Sequence, residues 1–189
     1  MKLRLIALLL ALATLLTLTL SSCSEESLDP DDGWHPAGYQ LASNKNLDYT
    51  LFVPETWSVD ISTGVLTAST IGGNVSMVVT SVESGTTLVG FLETYETQFD
   101  PAFVDFTYVV EGQDMLLQNG KVAAKKYVYT AKVTGNDYQF MQVVAILDHT
   151  AYIFTFTALA AKYASLVESV EGILEHLSFD AVKDAAVTD

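Results

Sequence analysis

The ten residues 138–147, "YQFMQVVAIL", limit the fold more than any other stretch. Their apolar side chains fill both alternating phases of a strand, so the segment reads as a central strand covered on both faces. Strand-like segments surround it. "LDYTLFV" (47–53) is β-branched and aromatic, and Pro54 ends it. "GVLTAST" (64–70) and "NVSMVVTSV" (74–82) form two more strands around a Gly72-Gly73 turn. "FVDFTYVVEG" (103–112) runs on through "DMLLQ" to Asn119-Gly120, a strong hairpin signal. "KVAAKKYVYTAKV" (121–133) puts Tyr127, Tyr129, Ala131 and Val133 in one phase and Lys126, Thr130 and Lys132 in the other. Turns at 134–137 and Asp148-His149 bracket the central strand. "AYIFTFTA" (151–158) then places Tyr152, Phe154, Phe156 and Ala158 on one side.

Two segments switch to helical spacing. In "TTLVGFLETYETQF" (86–99), Leu88, Phe91, Leu92, Tyr95 and Phe99 share a face, Thr86 or Thr87 serves as N-cap, and Pro101 follows. Over 160–177, Tyr163, Leu166, Val167, Val170, Ile173, Leu174 and Leu177 recur at three- and four-residue steps, with Lys162, Glu168, Glu171 and Glu175 opposite. Strands, helix, strands, helix describe an α+β domain whose mainly antiparallel β-sheet is covered by helices.

The chain has 9 cations against 23 acids, a net charge of −14. Lys2 and Arg4 are the only cations before residue 45 and there is no other arginine, so a chain cut after the first segment carries about −16. That balance argues against a nucleic-acid partner, which needs clustered cations. It fits solubility and repulsion from anionic surfaces, with a cationic partner as the alternative.

Residues 5–20 are uncharged and almost wholly Leu, Ala, Ile and Thr. As a helix they span about 24 Å, short of a ~30 Å hydrocarbon core. A basic start, a short apolar centre and small residues afterwards describe a secretory signal peptide over 1–22, the alternative being an uncleaved membrane helix. Leu20-Ser21-Ser22-Cys23 resembles the lipobox of bacterial lipoproteins. That resemblance implies a diacylglyceryl group on the Cys23 thiol and cleavage before it. Further acylation, palmitate among the chains, then holds the protein in the cell membrane on its extracytoplasmic face. The alternative is a stray cysteine in the leader. Ser24, being uncharged, permits outer-membrane sorting in a two-membrane cell. Cys23 is the only cysteine, so no intramolecular disulfide forms and the core must supply stability. Residues 23–37 read as an acidic tether, 38–180 as one domain and 181–189 as a flexible tail.

The sequence offers little catalytic chemistry. It has no Gly-x-Ser-x-Gly elbow, Walker loop or His-Glu-x-x-His. His35, His149 and His176 fall in a linker, a turn and a helix end. Asp29, Asp31, Asp32 and Gly33 invite a calcium loop, but Gln40 stands where its twelfth-position Glu belongs. Glu168, Glu171 and Glu175 share a helix face, as a solvated face or, with a ligand from elsewhere, a cation site. Trp57 follows Pro54 as a core plug, the alternative being a stacking platform for a ligand. Trp34, His35 and Tyr39 either pack back on the sheet or meet a partner. Lys121, Lys125, Lys126 and Lys132 read as protection of an exposed edge strand, with a docking patch as the alternative.

"GYQLASNKNLDYTLFVPETW" (38–57), with its Val-Pro-x-x-Trp corner, resembles the opening of PsbP-like (DcrB-like) domains. "KKYVYTA" (125–131), "YIFTFTA" (152–158) and "VESVEGILEHLSF" (167–179) are similar to that family's hairpin strands, final strand and closing helix. The resemblance implies an α/β/α sandwich and a domain that binds other macromolecules, with no family-wide catalytic residue to carry over. The expectation is therefore a membrane-anchored lipoprotein with a non-enzymatic binding or accessory role towards an envelope protein, without cofactor or metal. The alternatives are a small envelope hydrolase or metal-dependent enzyme, and a solute-binding component of a transporter.

Overall fold

The computed structural model describes residues 35–61, 65–98 and 103–184. The expected signal peptide, Cys23 and the calcium-loop candidate lie outside them. In chain order the elements are β1 (Tyr39–Leu41), β2 (Tyr49–Thr50), β3 (Phe52–Pro54), β4 (Ser58–Asp60), β5 (Leu66–Thr70) and β6 (Gly73–Ser81). Helix α1 (Leu88–Tyr95) follows, with a 3-10 turn at Glu96–Gln98. Then come β7 (Val104–Leu117), β8 (Val122–Val133), β9 (Asn136–Leu147), β10 (Thr150–Leu159), α2 (Ala160–His176), β11 (Ser178–Phe179) and α3 (Asp180–Asp184).

Seven strands form one antiparallel sheet in the order β4-β5-β6-β10-β9-β8-β7. Local chemistry explains the tight links. β8–β9 and β9–β10 are joined by two residues each, Thr134-Gly135 and Asp148-His149, all at positive φ. That is the type I′ geometry whose twist matches flanking strands. Asn119-Gly120 sits at positive φ inside a four-residue loop between Leu117 and Val122. The β5–β6 turn falls on Ile71-Gly72, one residue earlier than expected, because Gly73 already pairs with Thr70.

Strand alternation sends side chains to two separate cores. On one face Met77, Met141, Val143, Phe154 and Phe156 pack with Trp57 and with Tyr163, Val170, Ile173 and Leu174 of α2. On the other, Val78, Tyr127, Tyr129, Tyr138, Phe140, Val144 and Ile153 pack with Leu92 and Tyr95 of α1. β9 is buried in both phases from Tyr138 to Ala145 apart from half-buried Gln139, as a both-face strand requires. The domain is thus an α+β sandwich with helices on both sides of an antiparallel sheet. Thr87 caps α1, its Oγ1 accepting the Gly90 amide at 3.1 Å. Among the described residues no helix is long and apolar enough to cross a membrane.

The segment 47–53 is not one strand. β2 pairs with β11 and β3 with β1, and buried Leu51 marks the change of partner. Apolar periodicity cannot reveal a strand that switches neighbours midway. Gln40 clamps the corner that follows: its side-chain amide donates to the carbonyls of Trp57 (2.6 Å) and Glu55 (3.2 Å). Tyr39 lies across α2 at Gly172, where a Cβ would sit 2.1 Å from the Tyr39 hydroxyl. Its ring also meets His176 edge-on at 5.3 Å.

Candidate functional site

The singled-out residues separate into structural and surface groups. Trp57 is buried in the core under α2, so it plugs the core. Tyr39 packs back on α2, and His35 is exposed. His149 is exposed in the β9–β10 turn, and His176 lies against Tyr39. Glu168, Glu171 and Glu175 are exposed on the outer face of α2, and Glu171 reaches Lys126 at 3.6 Å. Among the described residues no group of three or more His, Cys, Asp or Glu is placed to hold a metal ion.

The lysine-rich strand is placed differently from expectation. β8 is not an edge, since β7 pairs along its outer side. Its lysines serve as cross-strand and cross-layer partners. Lys125 meets Asp114 at 2.9 Å and donates to the Gly112 carbonyl at 3.1 Å; Lys132 meets Asp105 at 2.6 Å. Strand order is set by long-range pairing, which lysine spacing does not encode. β7 is the true edge, and it carries the usual protection: register shifts between Val104 and Gln113, and positive φ at Asp105 and Gly112.

The sequence reading missed a line of polar side chains on the α1 face of the sheet, buried except for half-buried Thr67. Thr67, Ser76, Thr155, Gln142 and Tyr127 stand directly opposite one another on β5, β6, β10, β9 and β8. Tyr95 of α1 donates its phenol to Gln142 Oε1 at 3.2 Å, and Gln142 Nε2 donates to Thr155 Oγ1 at 3.3 Å. Tyr127 donates its phenol to Glu96, just beyond α1. Ser76 Oγ is buried with no hydrogen-bond partner. Burial first, then the neighbouring Glu96 carboxylate, pushes the Tyr127 phenol well up; burial, partly offset by Gln142, does the same to Tyr95. These phenols are neutral donors at physiological pH. The line fixes α1 on the sheet through directional bonds; it presents no activated nucleophile or base. One signal was visible beforehand: Gln142 stands in the middle of a strand covered on both faces, and a polar residue there needs a buried partner.

On the opposite face Tyr152 donates to Asp48 Oδ2 at 2.6 Å, tying the β2 approach to the sheet. Val104, Val109 and Leu116 on β7 and Val89 on α1 are exposed large apolar side chains.

No family model matches the sequence, and no curated protein matches it. Solved structures do. The cyanobacterial PsbP of Synechocystis matches at TM-score 0.58 and 14% identity, over 85% of this chain and 98% of that one. A Pseudomonas aeruginosa protein of unknown function matches at 0.51 and 17%, over 74% and 96%. The Saccharomyces cerevisiae Ran-binding protein Mog1p matches at 0.51 and 8%, over 77% and 97%. At such identities the likeness is one of fold: the chain has the PsbP-like arrangement.

Proposed function

We propose that this protein is a lipoprotein, anchored through Cys23 on the extracytoplasmic face of a cell membrane. Its PsbP-like domain serves a non-enzymatic binding or accessory role towards another envelope protein. The observation that carries this reading is Leu20-Ser21-Ser22-Cys23, placed where an uncharged segment gives way to an acidic stretch. A domain without cysteine, stable through its core alone, is compatible with export. The fold adds support, because one protein that shares it is described as Ran-binding. Two or more acyl chains give durable anchorage, at about 0.8 kcal/mol per buried methylene. Tethering then raises the local concentration of the domain near membrane partners.

The test is mass spectrometry of the protein purified from its native membrane, joined to crosslinking and pull-down with Cys23→Ala as control. The expected result is an acylated residue 23 at the amino terminus and a partner captured by the wild type and lost in the variant. An unmodified Cys23 behind an intact leader, or turnover of a substrate with no partner captured, overturns the reading.

A further inference from the structure

We infer that the outer edge of β7 over residues 113–117 takes up an extended, cation-bearing segment of a partner protein as an additional strand. This deepens the binding role proposed above and rests on it. Among the described residues β7 closes one end of the seven-stranded sheet and pairs on one side only, with β8. An end strand presents a row of main-chain donors and acceptors that another chain can match. The blunting of this edge is uneven. All its register shifts fall between Val104 and Gln113, whereas 113–117 pairs residue by residue with 126–122. The last five residues of β7 are therefore a regular template beside an irregular, protected first part.

The side chains there define what fits. Asp114 pairs with Lys125 and Leu116 with Ala123, in the strand phase shared by Tyr127 and Tyr129, so both point to the α1 side of the sheet. The Asp114 carboxylate remains 90% exposed despite its contact with Lys125. Leu116 is 65% exposed, and Ala123 beside it is also exposed. An incoming strand thus meets a carboxylate and an apolar spot two residues apart on one face. It matches them with a Lys or Arg and an aliphatic residue at the same two-residue spacing.

Charge decides the occupant. β7 holds Asp105, Glu111 and Asp114 and no Lys, Arg or His. A second copy would bring its own acidic β7 to this edge, and a chain at −14 repels itself. A cationic segment of another protein removes that conflict.

The test uses the isotope-labelled mature chain and a synthetic peptide, Thr-Lys-Thr-Val-Thr-Lys-Thr, beside the same peptide N-methylated at alternate residues. Saturable amide shifts centred on 113–117 are expected, with none from the N-methylated peptide. Asp114→Lys and Leu116→Lys should each weaken binding at least about tenfold while leaving the rest of the spectrum in place. Three results overturn the inference: equal binding of the N-methylated peptide, shifts centred on Glu168, Glu171 and Glu175, or self-association through β7. A membrane partner captured equally well by the Asp114→Lys and Leu116→Lys variants also overturns this surface, and leaves the binding role standing.

Discussion

The two faces of the sheet are packed by different means. Under α2, a helix of 17 residues, the core is closed by shape: Val75, Met141, Phe156, Val170, Ile173 and Phe179 are wholly excluded from solvent. Under α1, a helix of 8 residues, only Leu92 and Tyr95 are buried on the helix side. Rings do the covering there. Tyr129 stacks on Phe140 at 4.9 Å, and Phe103 leans on both, at 5.7 and 5.3 Å. Directed hydrogen bonds from Tyr95 and Tyr127 then place the helix. A long helix seals a sheet by apolar area alone; a short one needs large rings around it and polar bonds to fix its position.

High pH tests that contrast most severely. Burial pushes the phenols of Tyr95, Tyr127 and Tyr129 up on the α1 face, and those of Tyr49 and Tyr152 up on the other; Tyr163 is pushed up to about 12. A raised phenol contributes stability that is complete below its unfolded value near 10 and is lost as pH climbs towards the folded value. The expected alkaline titration shows tyrosinate absorbance rising together with loss of helical circular dichroism. Ionisation of Tyr95, Tyr127 and Tyr129 ahead of that loss would show the α1 face opening as a separate unit.

Point substitutions come next. Phe154→Ala under α2 should cost about 3–5 kcal/mol by urea unfolding, and Leu92→Ala under α1 about 2 kcal/mol. Equal costs would break the comparison. Gly172→Ala should destabilise by about 1–3 kcal/mol because its methyl meets the Tyr39 hydroxyl. Tyr39→Phe added to it should recover most of the loss; no recovery would mean the clash lies elsewhere. Gln142→Ala removes the acceptor of the Tyr95 phenol and should cost about 1–3 kcal/mol. The smallest effect belongs to Ser76→Ala. Its hydroxyl has no partner, so removal should leave stability unchanged or raise it by up to about 1 kcal/mol, and a clear loss would reveal a bond to solvent.

Periodicity carried the local elements. The run 138–147 announced a strand covered on both faces, Thr86 or Thr87 announced the start of α1, and the stripe from Tyr163 to Leu177 announced α2. The long-range pairings were not legible. Nothing in the spacing of Lys125, Lys126 and Lys132 says that β7 lies outside them. Nor does it say that Leu51 divides a strand between β1 and β11, or that Tyr95 reaches Gln142 across 47 residues. The close contact of Tyr39 with Gly172 is likewise set by long-range packing, not by the neighbours of either residue in the chain. The polar line under α1 was half visible through Gln142 alone, since Ser76 and Thr155 are common strand residues whose burial depends on register. Cys23, by contrast, is a matter of sequence only, its neighbours in the chain rather than in space giving it meaning.

The wedge of Tyr39 over Gly172 also has a mechanical side. A pull entering the body at residue 38 first meets the Glu55 amide held by the Gly38 carbonyl, the three-residue β1–β3 ladder and the ring lodged on α2. None of these belongs to the seven-stranded sheet. Under such a load this strap would peel away while the seven-stranded sheet stays whole.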